Sequence, residues 1–170
     1  MKASLVAVLP LLVIAVGCGG SQQPADPSTL TQANVESARP FQTNVLDRAR
    51  TDETYRHVLF TGARSQLALM TIPPGGDIGL ESHAHVEQLI FIIASGRGKA
   101  IVNGAETPIG AGDVVVATPN ARHNIVNTRT EPLRICTVYA PASHLDGRLH
   151  PAKVDAERDK ADEAFGAAVR

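Results

Sequence analysis

Residues 83–98 read HAHVEQLIFIIASGRG. Two histidines, a glutamate and a glutamine fall within six positions and lead directly into a strongly apolar run. On a strand, side chains alternate between the two faces, so His83 and His85 are expected to point the same way. Neutral imidazole is the commonest nitrogen ligand of first-row divalent metals, and a His-x-His pair lets one strand deliver two ligands to one ion. A polar turn accounts for such a pair equally well. What favours a metal is a third histidine, His123, about forty residues on, in TPNARHNIVN at residues 118–127.

Outward from this stretch, the chain is a series of short β-prone runs separated by turn signals, the pattern of an all-β sandwich or barrel. The expected strands are 57–61, 66–72, 88–93, 99–102, 105–109, 114–118, 123–127 and 133–139. Asn103-Gly104 is a hairpin signal, because a type I′ turn needs positive φ at both central residues. Gly110 to Asp113 marks a second turn, and Pro73 to Asp77 a third that lacks the donors to continue a strand. After Pro141 the composition shifts to Ala, Glu, Asp, Lys and Arg. Residues 155–169 read as a helix, with Val154, Ala161, Phe165 and Val169 as a weak apolar face.

The first residues are a lone cation, Lys2, an uncharged apolar stretch from Ala3 to Val16, then Gly17-Cys18. This is the pattern of a signal peptide, too short for a comfortable transmembrane span. Ala15-Val16-Gly17-Cys18 resembles a bacterial lipobox, which implies lipidation of Cys18, and the Gly-Ser-Gln-Pro tract after it reads as a tether. The expected organisation is therefore a signal peptide at 1–17, a lipidated cysteine and flexible linker at 18–40, a barrel at 41–141, and a partly helical extension at 142–170. Resemblance to Gram-negative lipoproteins implies an exported, periplasm-facing protein on the outer membrane, touching the membrane through its lipid anchor alone. Without Lys2, 15 basic residues stand against 17 acidic ones, which gives no electrostatic case for nucleic acid. With Cys18 lipidated, Cys136 has no partner for a disulfide, and its alternating β-prone surroundings mark it as a buried small hydrophobe.

The histidine motifs resemble those of the cupins, small double-stranded β-helix (jelly-roll) barrels. In the family's second motif Gly112, His123 and Asn127 fall at full spacing, Thr118 stands in place of a proline that follows as Pro119, and Asn120 replaces a glycine. Asparagine is among the residues that best tolerate a left-handed backbone. In the first motif His83, His85 and Gly96 match, but the family's glutamate position is displaced by one. The resemblance puts Gln88 in the ligand position, with Ile90 and Ile92 sharing its face and one extra residue before Gly96. Alternation from His83 and His85 puts Glu87 inward instead, so Gln88 leads and Glu87 stays as the alternative fourth ligand.

The resemblance implies a divalent transition ion, one of Mn, Fe, Zn, Ni or Cu, bound by His83, His85, Gln88 and His123. An open coordination position would then serve a small oxygen-rich ligand in dioxygenase or isomerase chemistry. The alternative is a non-catalytic module that binds a sugar or other small ligand at the cell envelope. Arg122, beside His123, is a candidate for binding a substrate carboxylate or phosphate. Asn127 is read as a support for backbone, and His57, His144 and His150 as surface or loop residues. Glu87 is the one general base in sight, and a homodimer is left open.

Overall fold

The computed structural model describes residues 40–86 and 88–169, without the side chain of Gln88. The signal peptide expected at 1–17, lipidated Cys18, the linker up to Arg39 and the candidate ligand Glu87 lie outside the described residues.

The chain runs through α1 (Val45–Thr51), β1 (Arg56–Thr61), β2 (Gln66–Ile72), β3 (Gln88–Ser95), β4 (Arg97–Val102), β5 (Ala105–Gly110) and β6 (Val114–Ala117). It continues through β7 (His123–Val126), β8 (Leu133–Ala140), β9 (Leu149–His150), α2 (Lys153–Arg158) and α3 (Lys160–Ala168). Every strand pairing is antiparallel. A six-stranded sheet, ordered β6-β3-β8-β2-β1-β9, faces a three-stranded sheet, ordered β5-β4-β7, and together they form the jelly roll. The strands expected from the sequence lie close to those found, and α1 and the two-residue β9 are additions.

Alternation along the strands sorts the apolar residues between two clusters. Ala68, Met70 and Ile72 of β2, Leu89, Phe91 and Ile93 of β3, and Leu133 and Ile135 of β8 point into the barrel and meet Ile125 of β7. Burying a large apolar side chain of this kind contributes about 1.5–3 kcal/mol, so this interior supplies most of the drive for closure. The opposite face of the large sheet carries Leu69, Ala94 and Cys136, covered by Ala49 of α1 with Ile92 packed alongside. The helix is started by Asn44, whose Oδ1 accepts the Asp47 N–H at 3.2 Å.

This sorting corrects one expectation. Phe91, Leu89 and Ile93 face inward, and Ile92 lies on the outer face, so Ile90 and Ile92 lend no support to Gln88 as a ligand. The extra residue expected before Gly96 is Ala94, where the β3–β8 register shifts between Ile93↔Ile135 and Ser95↔Arg134. The hairpin between β4 and β5 turns at Asn103 and Gly104, with φ of 50° and 85°, the positive pair that a type I′ turn requires.

The C-terminal extension is two helices broken at Asp159. That carboxylate caps α3 by accepting the Asp162 N–H at 3.1 Å, and it also takes Arg148 Nη2 at 2.7 Å and pairs with His150 Nε2 at 3.0 Å. Asp159 thus ends one helix through its backbone N–H, which donates to Ala156 O, and with its side chain starts the next and ties it to β9. The face that packs inward is Asp162 and Gly166, and Val154 and Ala161 are exposed, contrary to the expected apolar stripe. His150 is only 3% exposed, so it is a buried partner of Asp159 and not a surface residue. Among the described residues no helix is long and apolar enough to cross a membrane.

Candidate metal centre

Residues 76–81 run beside β7 without becoming a named strand. Asn127 N–H donates to Gly76 O at 2.9 Å and Ile78 N–H to Ile125 O at 3.1 Å. Glu81 and His123 exchange both of their backbone hydrogen bonds, at 2.9 and 2.8 Å. In an antiparallel ladder such a pair is directly opposed, with its two side chains on one face. That register brings a carboxylate to the histidine of the second motif.

Beyond Glu81 the chain leaves the ladder, and His83 and His85 sit on an irregular connection that ends where β3 begins at Gln88. The expected strand is therefore absent at these two histidines. A turn from the other motif holds them instead. Ala121 N–H donates to Thr118 O at 3.0 Å, closing Thr118-Pro119-Asn120-Ala121 with Asn120 at φ 62°. Proline second and a positive φ third is what a type II turn demands. Asn120 N–H then donates to His83 O at 3.0 Å, so the residue standing in for the family's glycine also anchors the first motif.

The side chains converge. Candidate ligand atoms of Glu81, His83 and His123 all lie within 4.8 Å of one another. The His83 ring centroid is 5.4 Å from that of His123 and 5.9 Å from that of His85, and Phe91 backs His123 at 5.8 Å. The Nε2 atoms of His83, His85 and His123 are each removed from solvent and without a hydrogen-bond partner among the described residues. His83 Nε2 is 3.4 Å from Glu81 Oε2, a charge contact whose geometry falls short of a hydrogen bond. Buried imidazole nitrogens without a partner are costly in a bare protein, and a cation between Glu81, His83 and His123 would satisfy two of the three.

The electrostatics suit ligation. Burial, then the neighbouring His83, holds the His85 imidazole below its ordinary range. Burial also lowers that of His123, assisted by His83 and opposed by the Ala121 carbonyl and Glu81. His123 Nδ1 lies 2.9 Å from Ala121 O, which in the neutral ring puts the proton on Nδ1 and leaves the Nε2 lone pair for the centre. Burial raises the Glu81 carboxyl, but His83, Arg56 and His123 together keep it below its ordinary value and hence ionised. Neutral imidazoles and an ionised carboxylate are the protonation states that a metal needs.

The expected site residues are placed as follows. His83 and His123 come together, His85 is adjacent, and the side chain of Gln88 and the whole of Glu87 are outside the described residues. Arg122 is exposed, with its N–H donating to Asn103 Oδ1 at 3.0 Å beside the β4–β5 hairpin. Asn127 supports backbone: its Nδ2 is 2.8–3.1 Å from the carbonyls of Ile72, Pro73 and Glu131. Sequence reasoning passed over Glu81. The same alternation that paired His83 with His85, extended two residues back through Glu81-Ser82-His83, would have reached it.

The centre opens into a cleft of about 530 Å³, walled on one side by Glu81, His83 and His85 and on the other by α2 and α3. His144 and Asp162 also line it, with His144 Nδ1 2.7 Å from Asp162 Oδ2.

Residues 68–139, from β2 to β8, match the model of the cupin domain. The uncharacterized protein YrkC of Bacillus subtilis is 32% identical over 124 residues, which cover 69% of this chain and 66% of YrkC, just under two thirds of its length. The crystal structure of BH2720 from Bacillus halodurans superposes with a TM-score of 0.69 at 30% identity, covering 71% of this chain and 96% of that one. A protein of Thermotoga maritima named as oxalate-binding is 35% identical over 71 residues, 42% of this chain and 58% of its own length. From the fold, the motif histidines and these likenesses, the chain belongs to the cupin superfamily.

Proposed function

We propose that this protein is a metal-dependent cupin of the cell envelope, holding one divalent transition ion between Glu81, His83 and His123, with His85 as a further donor. The buried, unpartnered Nε2 atoms of the three histidines carry this reading. The fourth-ligand assignment to Gln88, or to Glu87, stays open beside them. Glu81 supplies the negative charge that a set of three histidines and a glutamine would lack, and so strengthens retention of a dication. Two histidines and a carboxylate are a donor set known from non-haem iron centres, and a bound ion of this kind supplies Lewis acidity and, where redox-active, oxygen chemistry.

The residues around the centre do the rest. Ala121 orients His123, Phe91 screens it from water, and the cleft admits a small oxygen-rich molecule. Dioxygenase or isomerase activity is the catalytic form of the reading. A non-catalytic ligand-binding module is the second form, favoured by the Thermotoga relative, which is named for binding and not for turnover. Anchoring through Cys18, with the barrel on the periplasmic side of the outer membrane, completes the proposal.

The test is elemental analysis of the purified protein, as isolated and after reconstitution, beside a His83→Ala plus His123→Ala variant. Near-stoichiometric metal in the parent and none in the variant is expected. A parent that retains no metal under either condition sinks the reading. Labelling of the full-length protein with a fatty-acid probe, lost in Cys18→Ser, tests the anchor.

A further inference from the structure

Arg56, the first residue of β1, is a buried guanidinium with donors to spare. Its backbone lies between Met70 of β2 and His150 of β9, and the residue is only 8% exposed. Among the described residues the nearest carboxylate is Asp162, whose Oδ2 is 3.9 Å from Nη1, too far for a hydrogen bond. Asp162 is already engaged, pairing with His144 Nδ1 at 2.7 Å and accepting the Leu145 N–H at 2.7 Å. The Nε of Arg56 has no acceptor among the described residues. The Tyr55 ring supports the guanidinium, its centroid 5.6 Å from Cζ. The Tyr139 hydroxyl also faces the guanidinium, but a guanidinium has five donors in a planar fork, and burying it with Nε unmatched and no carboxylate among the described residues in hydrogen-bond range is costly unless an anion completes the set.

The same arginine lines the cleft onto which Glu81, His83 and His85 open. We propose that Arg56 is the recognition residue for a carboxylate of a small ligand whose other end reaches the metal centre. The planar fork matches a carboxylate in two parallel hydrogen bonds, which a lysine ammonium does not reproduce. A phosphate fits less well, because it concentrates its charge at Arg56 between walls that already carry Glu81, Glu157, Asp162 and Glu163, whereas a dicarboxylate sets one charge at Arg56 and the other at the metal centre. Against these stand Arg56 and Lys160, and the Lys160 ammonium is bound to Glu163 at 2.8 Å. Arg122, the arginine that the sequence offered for this role, is exposed beside the β4–β5 hairpin and does not line this cleft. The bridging part of the proposal rests on the metal reading above, and the Arg56 subsite does not.

The experiment titrates malonate calorimetrically into Mn²⁺-loaded and metal-free protein at constant ionic strength, using the wild type, Arg56→Lys, Arg56→Met and Arg122→Ala. Expected are weakening of about 10-fold in Arg56→Lys and about 100-fold in Arg56→Met, the range for losing hydrogen bonds to a charged group. Arg122→Ala binds as the wild type does, and inorganic phosphate binds more weakly than malonate. Thermal unfolding of each variant accompanies the titrations, and if Arg56→Met does not fold, Arg56→Lys decides. Equal malonate affinity in the wild type and Arg56→Lys, no malonate binding at all, or tighter binding of phosphate overturns the proposal. Arg56-dependent malonate binding by a protein that retains no metal would overturn the metal reading alone. Retained metal with Arg56-independent binding would overturn the subsite alone.

Discussion

The two halves of the metal centre are built differently. His123 sits in a strand, is 2% exposed, has its ring fixed by Ala121 O and is backed by Phe91. His83 and His85 sit on a connection outside any strand, His83 with a side chain 23% exposed, and they are placed by a turn borrowed from the other motif. One half is therefore part of the core, and the other is a loop docked against it. The lesson is that ligand identity and fold stability are separable in the first motif and fused in the second.

The largest expected effect follows from that contrast. His123→Ala should abolish metal retention and also destabilise the metal-free protein by about 2–3 kcal/mol, since it empties a packed site. His83→Ala should abolish retention equally while costing the metal-free protein only about 0.5 kcal/mol, in the manner of a substitution away from packed features. Urea unfolding of both metal-free variants, beside their metal contents, checks this. Equal destabilisation by the two substitutions would show that the loop is as integral to the core as the strand.

The next effect concerns charge. Glu81→Gln keeps the shape but removes the carboxylate that faces His83 at 3.4 Å, and metal affinity should fall by about 100-fold. The comparison to make is with Gln88→Ala and Glu87→Gln in the same competition assay against a chelator. A loss in either of those exceeding that of Glu81→Gln would move the fourth ligand back to Gln88, where the family resemblance puts it, or to Glu87, where alternation does.

The far wall of the cleft offers a third and smaller effect. A Cβ on Gly166 would meet Ser143 O at 2.8 Å, a backbone atom that yields only if α3 moves. Gly166→Ala should cost about 1–3 kcal/mol as an overpacking change and weaken ligand binding without releasing metal. Unchanged thermal stability and unchanged malonate affinity would show that α3 is not a fixed wall.

What could be read from the sequence divides along the same line as the site. The barrel, its strand limits, the Asn103-Gly104 hairpin and His123 were legible because each depends on local chemistry: alternation, a positive-φ pair, a motif of fixed spacing. Glu81 was passed over, although alternation from His83 reaches it, because what places it at the centre is its pairing with a strand forty residues away, and no local rule announces that His123 will exchange hydrogen bonds with it. The inward face of β3 was misread for a different reason. Putting Gln88 in the ligand position of the family motif moved the register by one residue and turned Ile90 and Ile92 inward, whereas plain alternation from His83 and His85 already puts Leu89, Phe91 and Ile93 on the inner face. Arg56 was invisible since it becomes unusual only once Asp162, from the far end of the chain, is seen to be occupied by His144.

The smallest effect is spread over both halves of the site and concerns pH in the metal-free protein. Burial, the largest influence in each case, depresses the imidazoles of His85, His123 and His144 below the 6.5 of an unfolded chain. A histidine depressed in this way takes up its proton later in the folded state than in the unfolded one, so the unfolded chain binds more protons as pH falls below 6.5. Stability should accordingly begin to decline there and go on declining until the folded-state values are passed. For Asp162 and Glu81 burial acts upward, but His144 and His83 head the interactions that bring both carboxyls below their ordinary 3.8 and 4.5. Their contribution is complete above those values and is lost as pH falls through the lower folded ones, so the two groups act in the same direction in successive windows. Urea midpoints of the metal-free protein between pH 8 and pH 3 should therefore fall in two steps. Replacing His123 and His144 together by asparagine should remove most of the upper step and shrink the lower one to the part that His83 and Arg56 sustain at Glu81. Survival of the upper step in that double variant would mean that the histidines stay solvated enough to keep their ordinary values, and that the centre is looser than its buried nitrogens imply.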